Sequence, residues 1–316
     1  MTATRPSRLP APQDLQTHPS PPPRSRWPWP VQLVVPVVGM AVALALALVV
    51  VQGLVLLLDV NPSGPPTGPV DVALAVLPGV LAMVAGIAVA ALLARVDGGR
   101  RLRDLTGRVS RRRHLVALVL GLVISCVVVL GVGLAVTATG ATRPVPEESV
   151  GVPVLLALVV GLTQAFALQA IPEELLFRGY LLRSLRFRTG MAVVVSALAF
   201  GVIHLASNGG QQGWGERLLY LALPTGFGLT AGALAVATGS VAAAVGIHGG
   251  LHLALLTSSL LSGRFPALAV GEGPWVWLSL GLVYALVALV VWSRRPVLAA
   301  TGQLDAGEER AAAEPG

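Results

Sequence analysis

The chain has 316 residues, of which 54% are hydrophobic and only 12% charged, with a net charge of +7 and no lysine, so that every basic side chain is an arginine. Soluble domains carry about 25% charged residues, and here the apolar residues come in runs near the ~20 that a helix needs to cross a bilayer; together these exclude a soluble globular domain. The arginines cluster beside the ends of apolar runs, where they read as topology signals rather than as a phosphate-binding face, so no nucleic-acid partner is expected. The single cysteine, Cys126, lies inside an apolar run, which leaves no disulfide framework and no thiolate metal site.

Residues 1–28 are rich in proline, serine and arginine and lack apolar periodicity, as a disordered cytoplasmic tail does. A cleavable signal peptide is not expected, because this long proline-rich stretch precedes the first apolar run. Trp27 and Trp29 stand just before that run, where aromatic residues mark a membrane interface. Eight spans are predicted, at 31–58, 70–94, 115–138, 150–174 with an extension, 191–206, 218–238, 241–261 and 275–292. The fold class is thus an all-α, polytopic transmembrane bundle. Its N-terminal helices occupy 29–149, a core lies within 150–293, and 294–316 forms a second cytoplasmic tail.

The segment from Arg95 to His114 carries eight arginines and two aspartates, which places it in the cytoplasm by the positive-inside rule. Arg183, Arg186, Arg188, Arg294 and Arg295 then fall on the same side, as do both termini. The segments 59–69, 140–149, 207–217 and 262–274 fall outside and carry few positive charges. A GC-rich composition points to a bacterial cell membrane. No internal repeat of the transporter kind is visible.

Against this apolar background two adjacent acids, Glu173 and Glu174, stand out, with Arg178 four residues further on. Charged groups inside a bilayer require partners or a polar cavity and are functional-site candidates by default. The apolar runs also contain His204, His248 and His252. If the fourth helix continues to a turn at Thr189-Gly190, Glu173 lies ~24 Å back from that turn and His204 ~22 Å forward from it. The short Gly239-Ser240 turn puts His248 ~12 Å and His252 ~18 Å from the same side. Three helices thereby bring polar residues to overlapping depths, reachable from the cytoplasm.

Spacing separates the two glutamates. Glu174 and Arg178, four apart, share a helix face and pair. Glu173 is rotated about 100° away and is left unneutralised in a low-dielectric site, which suits it to take a proton from water. Pro172 removes a backbone donor and kinks the helix beside it. Phe200 and His204, and likewise His248 and His252, each present one face. Histidines at that spacing either bind a metal or donate hydrogen bonds to a developing oxyanion. The bland readings are a structural Glu174–Arg178 pair, packed histidines among Gly246, Gly249 and Gly250, and Phe200 as packing.

These residues resemble a family. Glu173-Glu174-Leu-Leu-Phe-Arg178 is similar to an EExxxR motif, Phe200-Gly-Val-Ile-His204 to an FxxxH motif, and His248 opens a stretch similar to an HxxxN motif. The three occur in that order in the CAAX prenyl protease type 2 and bacteriocin-processing (CPBP, or Abi) intramembrane proteases, and the resemblance covers roughly 150–265. It implies that Glu173 activates water together with His204, that His248 and the fourth residue after it stabilise the oxyanion, and that Glu174 with Arg178 braces the site. The chain departs from the pattern at that fourth residue, where His252 replaces the usual asparagine. A histidine still donates a hydrogen bond, and it also supplies a third imidazole. The alternative to a metal-free site is therefore one divalent ion, zinc, on His204, His248 and His252.

The sequence reading is an intramembrane endopeptidase acting on peptide or membrane-protein substrates from within the bilayer. Its rivals are a non-catalytic scaffold or immunity protein of the same fold and a proton-coupled transporter. Neither the substrate nor the oligomeric state is legible.

Overall fold

The computed structural model describes residues 25–58, 69–143, 154–207, 210–262 and 264–313. The proline-rich tail up to residue 24, most of the 59–69 and 140–149 segments, and Asn208 lie outside the described residues. What is described is helical, apart from connections and one isolated antiparallel bridge between Arg143 and Glu272.

Eight helices are long and apolar enough to cross a membrane. They are α1 (Trp29–Leu57), α2 (Pro69–Gly98), α4 (Arg111–Thr137), α5 (Val154–Ser184), α6 (Thr189–Ala206), α7 (Trp214–Thr238), α8 (Val241–Ser262) and the spanning part, Pro274–Arg295, of α9 (Pro274–Ala313). A short α3 (Leu102–Thr106) lies in the arginine-rich connection. The expected spans are all present, with three differences. The turn after α5 is 185–188 rather than Thr189-Gly190, which already belong to α6. The stretch from Trp214, read as part of an external loop, instead opens α7. The last helix continues past 294, into the segment read as a tail.

The outer surface is apolar. Val34, Val38, Val42 and Leu46 on α1, and Val116, Val119, Val123 and Val127 on α4, are all at least half exposed. A soluble monomer does not carry such continuous apolar faces; a protein solvated by lipid does. The chain is an integral membrane protein. Because lipid is as apolar as the side chains, the helices associate through close packing and polar contacts instead of hydrophobic burial. The pairing of α4 with α8 shows the first device. A Cβ at Gly121 would overlap the Ala243 carbonyl oxygen, and one at Gly246 would overlap that of Leu118. Buried hydroxyls supply the second: Ser125 Oγ on α4 lies 2.5 Å from Tyr284 Oη on α9, and Thr230 Oγ1 on α7 donates to the Tyr284 carbonyl at 2.5 Å.

α1 and α2 lean on α5 at the edge of this core. Their arginine-side ends are tied by Asp97, whose Oδ1 accepts from Ser25 Oγ (2.7 Å) and from the Arg26 and Trp27 amides (2.8 and 3.0 Å). The short Gly239-Ser240 turn is present, with Gly239 at φ +68° closing α7 before α8 begins. That left-handed conformation is one glycine adopts without a Cβ penalty.

Candidate active site

α5 is not a regular helix. It winds as a π-helix over Thr163–Ala170, as an α-helix over Ile171–Glu174, and as a π-helix again over Leu175–Leu181. The proline effect expected at Pro172 takes this form: with no amide hydrogen at Pro172, the preceding turn widens to i→i+5 bonding, as the Ile171 amide to the Phe166 carbonyl shows. α2 presses on the same point, since a Cβ at Gly86 would overlap the Cβ of Pro172. The four-residue α-helical segment carrying both glutamates is thus wedged between two wide turns.

The glutamates diverge as their spacing requires. Glu174 and Arg178 are fully buried, at 0% and 1% exposure. Arg178 Nη1 lies 3.0 Å from both carboxylate oxygens and donates its aligned hydrogen bond to Oε1. The guanidinium also lies over the Phe200 ring, 4.5 Å from its centroid, and 5.8 Å from that of Phe227. Phe200 therefore has a definite place: it floors the cation, stands edge-on to Phe177 at 5.1 Å, and lies 4.4 Å from the His204 ring. A contact not read from the sequence joins α8 to this pair, with His248 Nδ1 3.0 Å from Glu174 Oε1. No local spacing announces it, because the two residues are 74 apart in the chain.

Glu173 faces the other way, into a cavity of about 510 Å³ that His204, His248 and His252 also line. Its Oε2 has no hydrogen-bond partner among the described residues. The remaining wall is largely apolar, with Leu44 and Leu48 of α1, Pro78 of α2 and Phe227 of α7. Gln169, Ser207 and Tyr220 are polar liners that sequence reasoning missed. Tyr220 sits where α7 is interrupted at Leu221, a feature with no sequence signature beyond the nearby Pro224. A second cavity of about 770 Å³ shares Tyr220, Leu223, Leu251 and His252 with the first, so His252 stands between the two.

The imidazoles are held by defined bonds. His204, at the point where α6 tightens into a single 3₁₀ turn, has Nδ1 2.7 Å from the Phe200 carbonyl oxygen. A carbonyl only accepts, so Nδ1 carries the hydrogen and Nε2 keeps its lone pair. The rings of His248 and His252 stack at 5.3 Å with an angle of 23° between their planes. Near-parallel rings do not aim their nitrogen lone pairs at one point. Among the described residues no three His, Cys, Asp or Glu side chains are arranged to hold a metal ion. The set His204, His248 and His252 thus gathers around one cavity without forming a ligand shell as it stands, and zinc does not fit it in this arrangement.

A helical membrane bundle with a buried carboxylate–guanidinium–imidazole centre, and a second carboxylate lining a largely apolar cavity, defines the class: an integral membrane protein with a polar centre inside its helical bundle. Residues 153–254 match the family model of the Rce1-like, type II CAAX prenyl endopeptidases, so the resemblance carried by the three motifs is borne out over that stretch. The matched region holds Glu173, Glu174, Arg178, Phe200, His204, His248 and His252, and leaves α1 to α4 and α9 outside it. A search of curated proteins finds no match to this chain. The family that this stretch resembles is one of endopeptidases.

Proposed function

We propose that the protein is a glutamate-dependent intramembrane endopeptidase that hydrolyses peptide bonds of membrane-associated substrates. The observation that carries this reading is the unpartnered Glu173 Oε2 facing the cavity that His204 and His252 share. In it, Glu173 accepts a proton from water as the oxygen attacks the scissile carbonyl carbon. His204 Nε2 accepts that water's other hydrogen bond and orients it. The carbonyl oxygen takes up the electron pair as an oxyanion, stabilised by N–H groups of His248 and His252. Collapse re-forms the carbonyl and expels the amine, which takes its proton from Glu173. Donation from His248 Nε2 requires a hydrogen on that atom. The Glu174–His248 pair supplies it when it holds two protons across its carboxylate and imidazole, a state that adds positive charge beside the oxyanion. Glu174 and Arg178 then act as the brace that fixes this imidazole.

The membrane is proposed to be a bacterial cell membrane, with membrane proteins or peptides as substrates rather than prenylated proteins. The reading is tested by comparing membrane proteomes of cells carrying wild-type protein and Glu173→Gln. New N-termini that disappear with the variant are expected; identical N-terminal inventories would reject hydrolysis.

The chemistry is proposed to be free of metal. His252→Asn keeps a hydrogen-bond donor at the oxyanion, so activity is expected to persist or rise, and dialysis against a chelator is expected to leave the wild type active. Stoichiometric zinc in the purified protein, lost with activity in His252→Asn, would overturn this, since three imidazoles and a water make a catalytic zinc site.

Both termini and the arginine-rich 95–114 segment are proposed to be cytoplasmic. With Cys126 replaced, a cysteine at Ser110 is expected to react only with permeant maleimide, and one at exposed Thr139 also with an impermeant reagent added outside. The reverse pattern would invert the topology.

A further inference from the structure

The arginine-rich end of the bundle holds a second polar feature that peptide hydrolysis does not use. A cavity of about 780 Å³ lies between the ends of α5 and α6, with α3 and α7 beside it. Arg100, Arg178, Arg183 and Arg186 line it, against one lining carboxylate, Asp104. The available anions are already engaged. Glu174 holds Arg178. Asp104 accepts from Arg108 at 2.9 and 2.8 Å and from the Arg101 amide at 2.8 Å. Asp97 is 3.6 Å from Arg100 Nη2, yet its Oδ1 accepts three other bonds and its Oδ2 accepts from Tyr180 Oη at 3.1 Å.

The cations are correspondingly under-compensated. Arg100 is only 6% exposed; its Nη2 donates to Ser184 Oγ at 2.5 Å and its guanidinium lies 5.4 Å from the Tyr180 ring centroid, while its Nε has no hydrogen-bond partner among the described residues. Arg183 is exposed and lies within electrostatic reach of both Arg100 and Asp104. Arg186 reaches the Ser25 carbonyl, which is neutral. Gathered guanidinium groups repel one another, and at the buried Arg100 an unused N–H is costly out of water, while Arg183 and Arg186 are exposed beside it.

We propose that this cavity binds the phosphate of an anionic phospholipid headgroup. Guanidinium forks match phosphate oxygens geometrically, and basic pockets between transmembrane helices on the cytoplasmic side are where such headgroups bind. The depth agrees with a lipid source: Phe187, on the cavity wall, lies 6.2 Å from Trp29, an aromatic pair of the kind found at the headgroup level. Arg178 lines the cavity while holding Glu174, so a bound headgroup would sit beside the brace of the site. The binding itself does not depend on the proposed hydrolysis.

The test uses full-length protein purified in neutral detergent, with binding read by native mass spectrometry and by the shift in Tm. Short-chain phosphatidylglycerol is expected to bind saturably and raise Tm, whereas phosphatidylcholine and inorganic phosphate at equal concentration leave it unchanged. Arg183→Gln is expected to weaken phosphatidylglycerol binding about five-fold, and Arg183→Gln with Arg186→Gln further, as each surface cation contributes to anionic-lipid binding. Arg183→Lys retains most of the affinity. Arg264→Gln, at an exposed position on the opposite side, leaves it intact. Equal binding of the two lipids, an equal loss with Arg264→Gln, or wild-type affinity in the double variant would overturn the site. A phosphate effect as large as that of the lipid would overturn the lipid as its source.

Discussion

Glu173→Gln is expected to abolish peptide hydrolysis while leaving the melting temperature of the purified protein at or slightly above that of the wild type. Both halves follow from the same geometry. Glutamine has the shape of glutamate and cannot take a proton from water, so the attacking hydroxide is not generated; loss of a general base costs about 10²- to 10⁴-fold. Glu173 Oε2 makes no hydrogen bond among the described residues, and the side chain borders a cavity, so no native contact is lost with it. A neutral amide is also easier to keep out of water than a carboxylate. The measurement is turnover of a cleavable substrate found from the proteome comparison, alongside thermal unfolding in the same detergent. Near-normal turnover would remove Glu173 from the chemistry. Lost turnover together with a large fall in Tm would show that the residue supports the fold instead.

The neighbouring carboxylate should behave in the opposite manner. Glu174→Gln and Arg178→Met are each expected to destabilise the protein by about 3–5 kcal/mol, the usual cost of leaving one member of a buried pair without its partner. Here the stranded group has few alternatives. Without Glu174, the guanidinium loses its ion pair and keeps the faces of Phe200 and Phe227, and His248 loses its acceptor. Without Arg178, Glu174 keeps His248 alone. The double variant removes both charges together and is expected to be more stable than the worse single variant. A double-mutant cycle on thermal or denaturant unfolding reads this directly; simple additivity would contradict the pairing. Because Glu174 also positions His248, either single variant is expected to lose activity under conditions where it remains folded.

The sequence alone determined the membrane class, the eight helices and the identity of the chemical groups. Lipid makes apolar runs near 20 residues long self-announcing, and it makes each ionisable residue inside them conspicuous. The separation of Glu173 from Glu174 was legible too, because adjacent residues on a helix point ~100° apart and residues four apart meet. Tertiary structure decided what local periodicity does not encode. The close approach of α2 to Pro172 through Gly86 is a contact between helices that the sequence does not announce. The bond from His248 to Glu174 joins α8 to α5, which approach closely where Gly249 lies against Phe166 and Gly161 against Leu256. Tyr220 and Ser207 became site residues only when α7 broke at Leu221 and α6 ended beyond His204. The three histidines line one cavity, and the stacking of His248 on His252 is a contact that their spacing left open. Spacing within one helix fixes which side chains share a face. Which faces meet is settled by packing between helices, and that rests on contacts dispersed across the whole chain.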